Sequence, residues 1–259
     1  MIQLTHAGLV CAASEADLNR LRAEFDHEHS VVLPALLEPA LLRRALHEIE
    51  GATFEEHVDD GIGSELRMRD NRASHLLDFL VNDPGLFALI ERIAGCGRVG
   101  SFIGRVYRAL PNSSHFDNWH DDLVDERLIG MSMNLSPKAF AGSLLRIRHE
   151  SGLIVREIAN VGLGDAVIFR LSPQLQHRVT PLEGSVAKTA FAGWFRARPD
   201  LLGDFRACCD CPNRGSAHIM SRRADGPRRP HSERGRPMID HVFRRPLRAV
   251  VSGESRSWC

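Results

Sequence analysis

The chain has 259 residues, of which 43% are hydrophobic and 25% are charged, a composition typical of a globular protein. Its formal net charge is zero, which argues against nucleic acid or an anionic membrane as the main partner of the whole chain. No apolar run reaches the roughly 18 residues of a transmembrane helix, and the N-terminus lacks the basic segment of a secretory signal. The six cysteines are scattered instead of being spaced as a disulfide framework, so we expect a reducing, cytoplasmic setting.

The first 97 residues are predicted to form a mainly helical region. Ser14 is a suitable N-cap for the first helix, and Pro39 is a suitable first residue for the second. Pro84 interrupts the apolar stripe of the third helical region, so we expect two helices there instead of one. The predicted segments in chain order are a helix over 14–29, a short strand over 30–37, a helix over 39–50 and a helical region over 73–94.

Residues 98–198 show a different pattern, in which Gly, Pro, Asn and Asp separate short apolar or alternating runs such as GRVYRAL, IGMSMNL, GDAVIF and KTAFAGWF. Several short strands at regular spacing predict a β-sandwich or barrel. The helices precede a block of strands and do not alternate with them, which argues against a doubly wound parallel sheet. The expected fold class is therefore mainly β with flanking helices.

The last segment, 199–259, is rich in Arg, Pro, Gly and Ser and has few periodic apolar residues. Such a composition buries too little apolar surface to offset its ordering entropy, so we predict disorder there. Its basic residues leave open a nucleic acid or an acidic partner. Its cluster of Cys208, Cys209, Cys211 and His218 leaves open a zinc site, although the paired CxxC arms of strong zinc sites are missing.

Residues 115–122 read HFDNWHDD and contain two His-x-Asp pairs. Asn and Asp favour turns, so a polar loop or chance clustering would explain this stretch taken by itself. In an extended segment, residues i and i+2 point to the same side, so either pair offers one imidazole and one carboxylate together. Farther along the chain, His177 follows the GDAVIF strand and a polar turn, where a neighbouring strand could bring it back.

Two imidazoles and one carboxylate are the donor set of the 2-His-1-carboxylate triad, which binds Fe(II) and leaves coordination positions open. Mn, Co and Zn are possible substitutes for the iron. On spacing alone this set is only moderately specific, because a His-x-Asp pair with a distant histidine arises readily by chance.

The motifs over about residues 98–198 follow one another in a recognisable order. The series is RVYRAL, WHDD, an arginine before a strand ending in NLS, GDAVIF, QHRV and KTAFAGWF. This series resembles the iron(II)/2-oxoglutarate-dependent dioxygenase superfamily, on its prolyl-hydroxylase-like branch. The resemblance implies a double-stranded β-helix core, a jelly roll or cupin-like fold, with N-terminal helices packed on the major sheet. It divides the chain into a helical region over 1–97, a dioxygenase core over 98–198 and the tail over 199–259.

The resemblance implies three iron ligands, which are His120, Asp122 and His177. It favours this assignment because WHDD stands at the family's usual distance before the strand that ends in NLS. The other pair, His115 and Asp117, remains the alternative.

The resemblance also implies a cation for the distal carboxylate of 2-oxoglutarate, about ten residues after the distal histidine. That position is Lys188, one of only two lysines in an Arg-rich chain. Tyr107 and Asn134 are further candidates for contact with 2-oxoglutarate. Arg127 is a candidate for the substrate side or for pairing with Asp125 or Glu126. The chain departs from many relatives in using lysine where they have arginine, and Gly142-Ser143 where they have Gly-Gly. We expect the second difference to change only a turn.

The implied activity is that of an oxygenase, which uses Fe(II), 2-oxoglutarate and molecular oxygen to hydroxylate a substrate and releases succinate and CO2. The loops expected at the barrel mouth, 55–72 and 111–119, carry mixed charge, which allows a peptide side chain, an amino acid or a small metabolite as substrate. Asp122 favours hydroxylation over halogenation, because halogenating relatives have a small residue at that position. A metal-dependent hydrolase with His115 as an added ligand and a non-catalytic jelly-roll binding module are the alternatives.

Overall fold

The computed structural model describes residues 1–59, 62–111, 113–124 and 126–197. Within these residues the helices are α1 (Glu15–Glu28), α2 (Pro39–Glu50), α3 (Arg72–Val81) and α4 (Pro84–Ala94). The strands are β1 (Ile2–Thr5), β2 (Gly8–Cys11), β3 (Ser30–Leu33), β4 (Phe54–Asp59), β5 (Gly63–Met68), β6 (Ser101–Ala109), β7 (Arg127–Asn134), β8 (Ala141–Gly142), β9 (Leu145–His149), β10 (Ile154–Ile158), β11 (Ala166–Arg170), β12 (Leu175–Val179), β13 (Leu182–Glu183) and β14 (Lys188–Arg196). The predicted disorder of the tail and its cysteine cluster lie outside the described residues. In the part of the chain described, no helix combines the length and apolar character needed to cross a membrane.

The helices begin where the sequence predicts. The Ser14 hydroxyl accepts a hydrogen bond from the Asp17 amide, and the Asp17 carboxylate accepts one from the Ser14 amide, which is a capping box at the start of α1. Pro39 lies in the first turn of α2, where its missing N–H costs nothing. Pro84 opens α4 and so separates it from α3, as predicted.

Two antiparallel sheets of unequal size form the β part of the fold. The major sheet has seven strands in the order β3-β11-β7-β14-β6-β5-β4, and the minor sheet has three in the order β10-β9-β12. Two-stranded pairs, β1-β2 and β8-β13, complete the described strands. The predicted class, mainly β with flanking helices, is confirmed.

The N-terminal region contributes strands as well as helices. β3, β4 and β5 all belong to the major sheet, so residues 1–97 are not only a helical layer. The loop expected over 55–72 is largely the hairpin of β4 and β5, in register from Phe54 opposite Met68 to Asp59 opposite Gly63. Sequence reasoning missed this hairpin because its residues are mostly polar, which hides the period-2 alternation by which strands are recognised.

The major sheet buries side chains on both of its faces. One face packs against the four helices, and β14 contributes Phe191 and Phe195 to that core. The other face packs against the minor sheet, and Phe169 of β11 belongs to this second, smaller core. Because successive residues of a strand point to opposite faces, the residues next to Phe191 and Phe195 along β14 face the space between the two sheets. That space holds the candidate site.

Candidate metal centre

Three side chains predicted to bind a metal come together between the sheets. His120, Asp122 and His177 place one donor atom each within 4.8 Å of the others. Asp122 Oδ2 lies 3.5 Å from His120 Nε2 and 3.3 Å from His177 Nε2. Among the described residues, no other group of three or more His, Cys, Asp or Glu side chains meets this geometry.

A backbone bridge, rather than a shared strand, brings the two histidines together. The amide of each histidine donates to the carbonyl of the other, at 3.1 Å from His120 and 2.8 Å from His177. His177 lies on β12, whereas His120 pairs outside any named strand. Asp122 has a φ of 59°, a left-handed conformation that aspartate tolerates better than most residues. The extended i and i+2 arrangement considered for WHDD is therefore not what brings His120 and Asp122 together.

Both imidazole rings are held by neighbours that leave the Nε2 atoms directed at Asp122. His120 Nδ1 lies 2.7 Å from the Asn118 carbonyl, a contact that keeps a proton on Nδ1, so that Nε2 offers its lone pair once the ring is neutral. The Phe169 ring packs against His177 with centroids 4.8 Å apart. Phe169 fits there because residue 130 is glycine: a Cβ at Gly130 would lie 2.2 Å from the Phe169 ring.

The Asp122 carboxylate is fixed by two hydrogen bonds from outside the cluster. Arg127 Nη1 donates to Oδ1 at 3.1 Å, and Trp194 Nε1 donates to Oδ2 at 2.7 Å. The Arg127 guanidinium also stacks 3.7 Å from the Trp194 ring centroid. Arg127 also lines the cavity, the side on which a substrate is expected, and Asp122 is an ion-pair partner that the sequence did not indicate. The role of Trp194 was missed, although its position on the same face of β14 as Lys188 was a usable signal.

Interactions within the cluster shift the pKa values of Asp122 and His120 in the direction that favours their charged forms. Burial would raise the pKa of Asp122, but hydrogen bonds and charge from the two imidazoles hold it well below its usual range. Burial would lower the pKa of His120, yet the hydrogen bond to Asp122 and the charge of Asp117 raise it to about 9. Burial lowers the pKa of His177. The ionised Asp122 carboxylate and the readily neutral His177 imidazole are in the protonation states that metal binding requires, whereas His120 must lose its extra proton when a metal binds.

The alternative pair, His115 and Asp117, does not form a comparable cluster. Asp117 Oδ2 accepts a hydrogen bond from the Val179 amide at 2.7 Å, and Oδ1 lies 3.4 Å from His120 Nδ1. Burial raises the pKa of Asp117. His115 lines the cavity next to the cluster. Asp117 thus ties β12 to the segment that carries His120, and the structure gives the pair no shared ligand position.

The cluster opens into a cavity of about 840 Å³. Its deep wall is apolar and includes Leu145, Ile158, Val167 and Phe169. Its rim carries the partly exposed apolar side chains Ile62, Ile103, Leu110, Phe116 and Val124 together with an ion-pair chain. In that chain Glu65 binds Arg105 at 2.7 and 3.0 Å and Arg67 at 2.6 Å, and Arg67 binds Asp59 at 2.8 Å.

Lys188 lies in this cavity with only 4% of its surface exposed. Its Nζ donates to Ser143 Oγ at 3.0 Å and lies 5.9 Å from the Tyr107 ring centroid, but no carboxylate of the described residues forms an ion pair with it. Tyr107 also lines the cavity. Ser143 has a φ of 52°, in the left-handed region that favours glycine, so it keeps the turn and adds a hydroxyl contact to Lys188. The expectation that Gly142-Ser143 changes only a turn is therefore wrong.

Asn134 is not brought into the cavity lining. It is buried, its Nδ2 donates to the Gly162 carbonyl at 3.2 Å and its Oδ1 accepts from the Ser136 amide at 2.9 Å. The side-chain amide of Asn134 thus bonds the loops that contain Gly162 and Ser136 and is not directed at a ligand. Asn160 lies in the lining instead, where its Nδ2 donates to the Ser132 carbonyl at 2.9 Å and its Oδ1 is buried without a hydrogen-bond partner. No sequence signal distinguished Asn160 from other loop asparagines.

Comparison with known proteins identifies the fold. No protein-family model and no curated protein matches the sequence. Among solved structures, the chain is similar to an oxidoreductase of the 2OG-Fe(II) oxygenase family from Burkholderia pseudomallei, with a TM-score of 0.53, 14% identity and coverage of 72% of this chain and 93% of that chain. It is also similar to a Pseudomonas putida prolyl-4-hydroxylase, with a TM-score of 0.52, 19% identity and coverage of 70% and 99%.

A third similar structure is the non-heme alpha ketoglutarate dependent epimerase SnoN from nogalamycin biosynthesis, with a TM-score of 0.52, 14% identity and coverage of 80% of this chain and 94% of that chain. These three proteins are named for different reactions, so the likeness concerns architecture. The expectation of a jelly-roll core with flanking helices is confirmed at that level. The chain has the fold of these 2OG-Fe(II) oxygenase structures, the prolyl-4-hydroxylase among them, which is the expected double-stranded β-helix.

Proposed function

We propose that the protein is an Fe(II)- and 2-oxoglutarate-dependent dioxygenase that hydroxylates a peptide side chain, an amino acid or a small metabolite. One observation carries the proposal. A single carboxylate oxygen, Asp122 Oδ2, faces the Nε2 atoms of His120 and His177 at 3.5 and 3.3 Å, in the wall of a cavity that also contains a buried lysine.

The donor set fits Fe(II). Three adjacent donors held about 2.1 Å from one ion lie about 3 Å apart, close to the two separations seen here. Two neutral imidazoles and one carboxylate leave further positions on the same ion for other ligands. When bound there together, iron and 2-oxoglutarate supply the oxidising chemistry, with release of succinate and CO2 and consumption of O2.

Lys188 and Tyr107 are proposed to hold 2-oxoglutarate. A buried ammonium group without a carboxylate partner is costly, and an anionic ligand in the cavity would remove that cost. Ser143 orients the ammonium group through its hydroxyl, at 3.0 Å. Tyr107 lies beside Lys188 and has a phenol that can donate to the same carboxylate.

The remaining residues of the cavity position groups and exclude water. Arg127 and Trp194 hold the Asp122 carboxylate in one orientation, and the Asn118 carbonyl fixes the tautomer of His120. The apolar wall that includes Val167 and Phe169 keeps water from the side of the centre next to His177. The mixed apolar and ionic rim is where a substrate would be selected.

A succinate-release assay tests the proposal. Protein reconstituted with Fe(II) should form succinate from 2-oxoglutarate in air, and formation should increase with a correct substrate from a panel of peptides, amino acids and metabolites. Anaerobic addition of 2-oxoglutarate to the Fe(II) protein should produce a weak visible charge-transfer band. A protein that binds metal and hydrolyses esters without this band would instead be a metal hydrolase, and one that binds no metal would be a binding module.

A further inference from the structure

We propose a second binding site, on the outer face of the minor sheet, for an extended acidic segment of a partner protein. The site consists of Arg148, Arg178 and Trp119, which we call the arginine platform. It lies on the side of the minor sheet that faces away from the cavity, and its binding does not depend on the chemistry proposed above.

Strand alternation sends the platform arginines outward. On β9, Leu145 and Ile147 are buried in the smaller core, so Arg148 points to the opposite face. On β12, Leu175 is buried in the same core and His177 faces the metal centre, so Arg178 points outward. The arginines therefore lie on the surface behind the metal centre.

The indole of Trp119 contacts the guanidinium groups of both arginines. The Trp119 ring centroid lies 4.2 Å from Cζ of Arg148 and 4.6 Å from Cζ of Arg178. Cation–π contact at these distances restrains two long side chains before any ligand arrives, which lowers the entropy cost of binding. The same contacts use the indole surface, so the platform is better suited to anionic groups than to stacked bases.

The platform carries charge that the described part of the chain does not neutralise. Neither Arg148 nor Arg178 forms an ion pair with a described carboxylate, whereas Arg146 on the same face binds Glu157 at 2.5 Å. Arg148 donates hydrogen bonds from Nε and Nη2 to the Gln176 side-chain oxygen at 3.0 and 2.7 Å. Its remaining N–H groups are left for a ligand. Arg178 Nε is buried without a hydrogen-bond partner. Two uncompensated guanidiniums, one of them with an unmet donor, point to a ligand with carboxylates.

The spacing of the arginines selects an extended acidic segment. Arg148 lies opposite Gln176, so Arg178 is its diagonal neighbour, and such positions lie about 7–8 Å apart. In an extended peptide, side chains at i and i+2 point the same way and lie about 7 Å apart. A segment with glutamate at alternate positions would therefore give one carboxylate to each guanidinium. A single phosphate group would reach both less well.

Fluorescence anisotropy with a labelled eight-residue peptide of alternating Glu and Thr tests the platform on the full chain. We expect saturable binding that weakens as salt is added, and no binding of the matched peptide of alternating Gln and Thr. The double variant Arg148→Gln/Arg178→Gln should weaken binding by about tenfold or more. The control Arg146→Gln, which removes an arginine already paired on the same face, should change it by less than about twofold.

Two further measurements decide between the alternatives. The variant Arg148→Lys/Arg178→Lys keeps both charges and should bind the peptide between the parent and the Gln variant, which a merely misfolded surface would not do. Equal binding by the parent and the double Gln variant would show that other basic residues hold the peptide and would overturn the proposal. It would equally be overturned if inorganic phosphate or a single-stranded oligonucleotide bound through the platform while the Glu peptide did not.

Discussion

The two faces of the major sheet bury very different side chains on the same strands. On β14, Phe191 and Phe195 are fully buried against the helices. Three residues before Phe191 and on the opposite face, Lys188 is nearly as buried, but its ammonium group contacts only the hydroxyl and carbonyl oxygens of Ser143 and lies near two aromatic rings. The helix-side face is a packed core, whereas the cavity-side face holds polar groups that are stable only with partners.

The helix-side face therefore mainly determines the stability of the fold, whereas the cavity-side face mainly determines ligand binding. Apolar packing on the helix side accounts for most of the burial and needs no ligand. The cavity side concentrates charge in a few groups: Asp122 is paired with Arg127, whereas Lys188 has no carboxylate partner among the described residues, so its burial is unfavourable until an anion binds. Substitutions on the helix-side face should therefore lower the free energy of unfolding, whereas substitutions on the cavity-side face should lower the affinity for metal or cosubstrate.

The largest effect on metal binding is expected for His120→Ala. Loss of one of three donors should lower Fe(II) affinity by at least about 100-fold, beyond the range usual for groups that only support a ligand. Anaerobic calorimetric titration with Fe(II) measures it. The control is His115→Ala, from the neighbouring His-x-Asp pair, which should change the affinity by less than about threefold. Equal losses in both variants would show that the metal lies elsewhere.

Phe191→Ala tests the helix side. Truncating a buried phenylalanine should lower the free energy of unfolding by about 3–5 kcal/mol, because transfer and cavity costs add. Urea unfolding measures this loss. In the protein that remains folded at low temperature, Fe(II) affinity should stay close to that of the parent. A large drop in metal affinity with little loss of stability would mean that the two faces are not independent.

Lys188→Ala should weaken 2-oxoglutarate binding to the Fe(II) protein by about 100-fold or more, since the distal carboxylate would lose its buried cation. Titration of the anaerobic charge-transfer band measures the affinity. Lys138, the other lysine, is exposed, so Lys138→Ala is the matched control and should bind like the parent. The free energy of unfolding without ligand should not fall in Lys188→Ala, because the change removes an unpaired buried charge. Unchanged cosubstrate affinity would remove Lys188 from the site.

Trp194→Phe removes one N–H from the carboxylate side of the cluster. A smaller aromatic ring remains, but Asp122 Oδ2 loses its 2.7 Å hydrogen bond, so Fe(II) affinity should fall by about tenfold. Trp119→Phe, on the outer face, is the control and should leave Fe(II) affinity unchanged. If the two variants bind iron equally well, Trp194 is only a packing residue.

Local chemistry explains which parts of the fold were predictable. Ser14, Pro39 and Pro84 act on neighbouring residues, and the helices begin or break where they stand. The hairpin over β4 and β5 was not predictable in the same way, because its polar residues carry no clear period.

The site was predictable in part. Spacing alone left His115/Asp117 and His120/Asp122 open, and the order of motifs in the family resemblance selected the pair that the structure places beside His177. The contacts of Trp194 with Asp122 and of Ser143 with Lys188 join residues far apart in the chain. Their geometry depends on strand register, which no local pattern in the sequence specifies.

The smallest effect is expected at Asp78 on the helix side. Burial, together with the charge of Asp70, raises the pKa of Asp78 to about 6. An aspartate in the unfolded chain titrates near about 3.9, so between these pH values the folded state holds the extra proton more tightly. The protein should therefore lose stability as the pH rises from about 4 to about 6, after which the penalty is complete.

Asp78→Asn removes that penalty and should stabilise the protein at pH 8. We expect a gain of about 1 kcal/mol, less than the full pKa shift implies because the half-buried carboxylate is screened by solvent. At pH 4 the variant and the parent should be nearly equal, and Asp70→Asn should give a smaller gain of the same sign. Urea unfolding at both pH values measures the difference. A gain of the same size at pH 4 and pH 8 would show that ionisation of Asp78 is not its cause, and that the helix side tolerates this carboxylate without electrostatic cost.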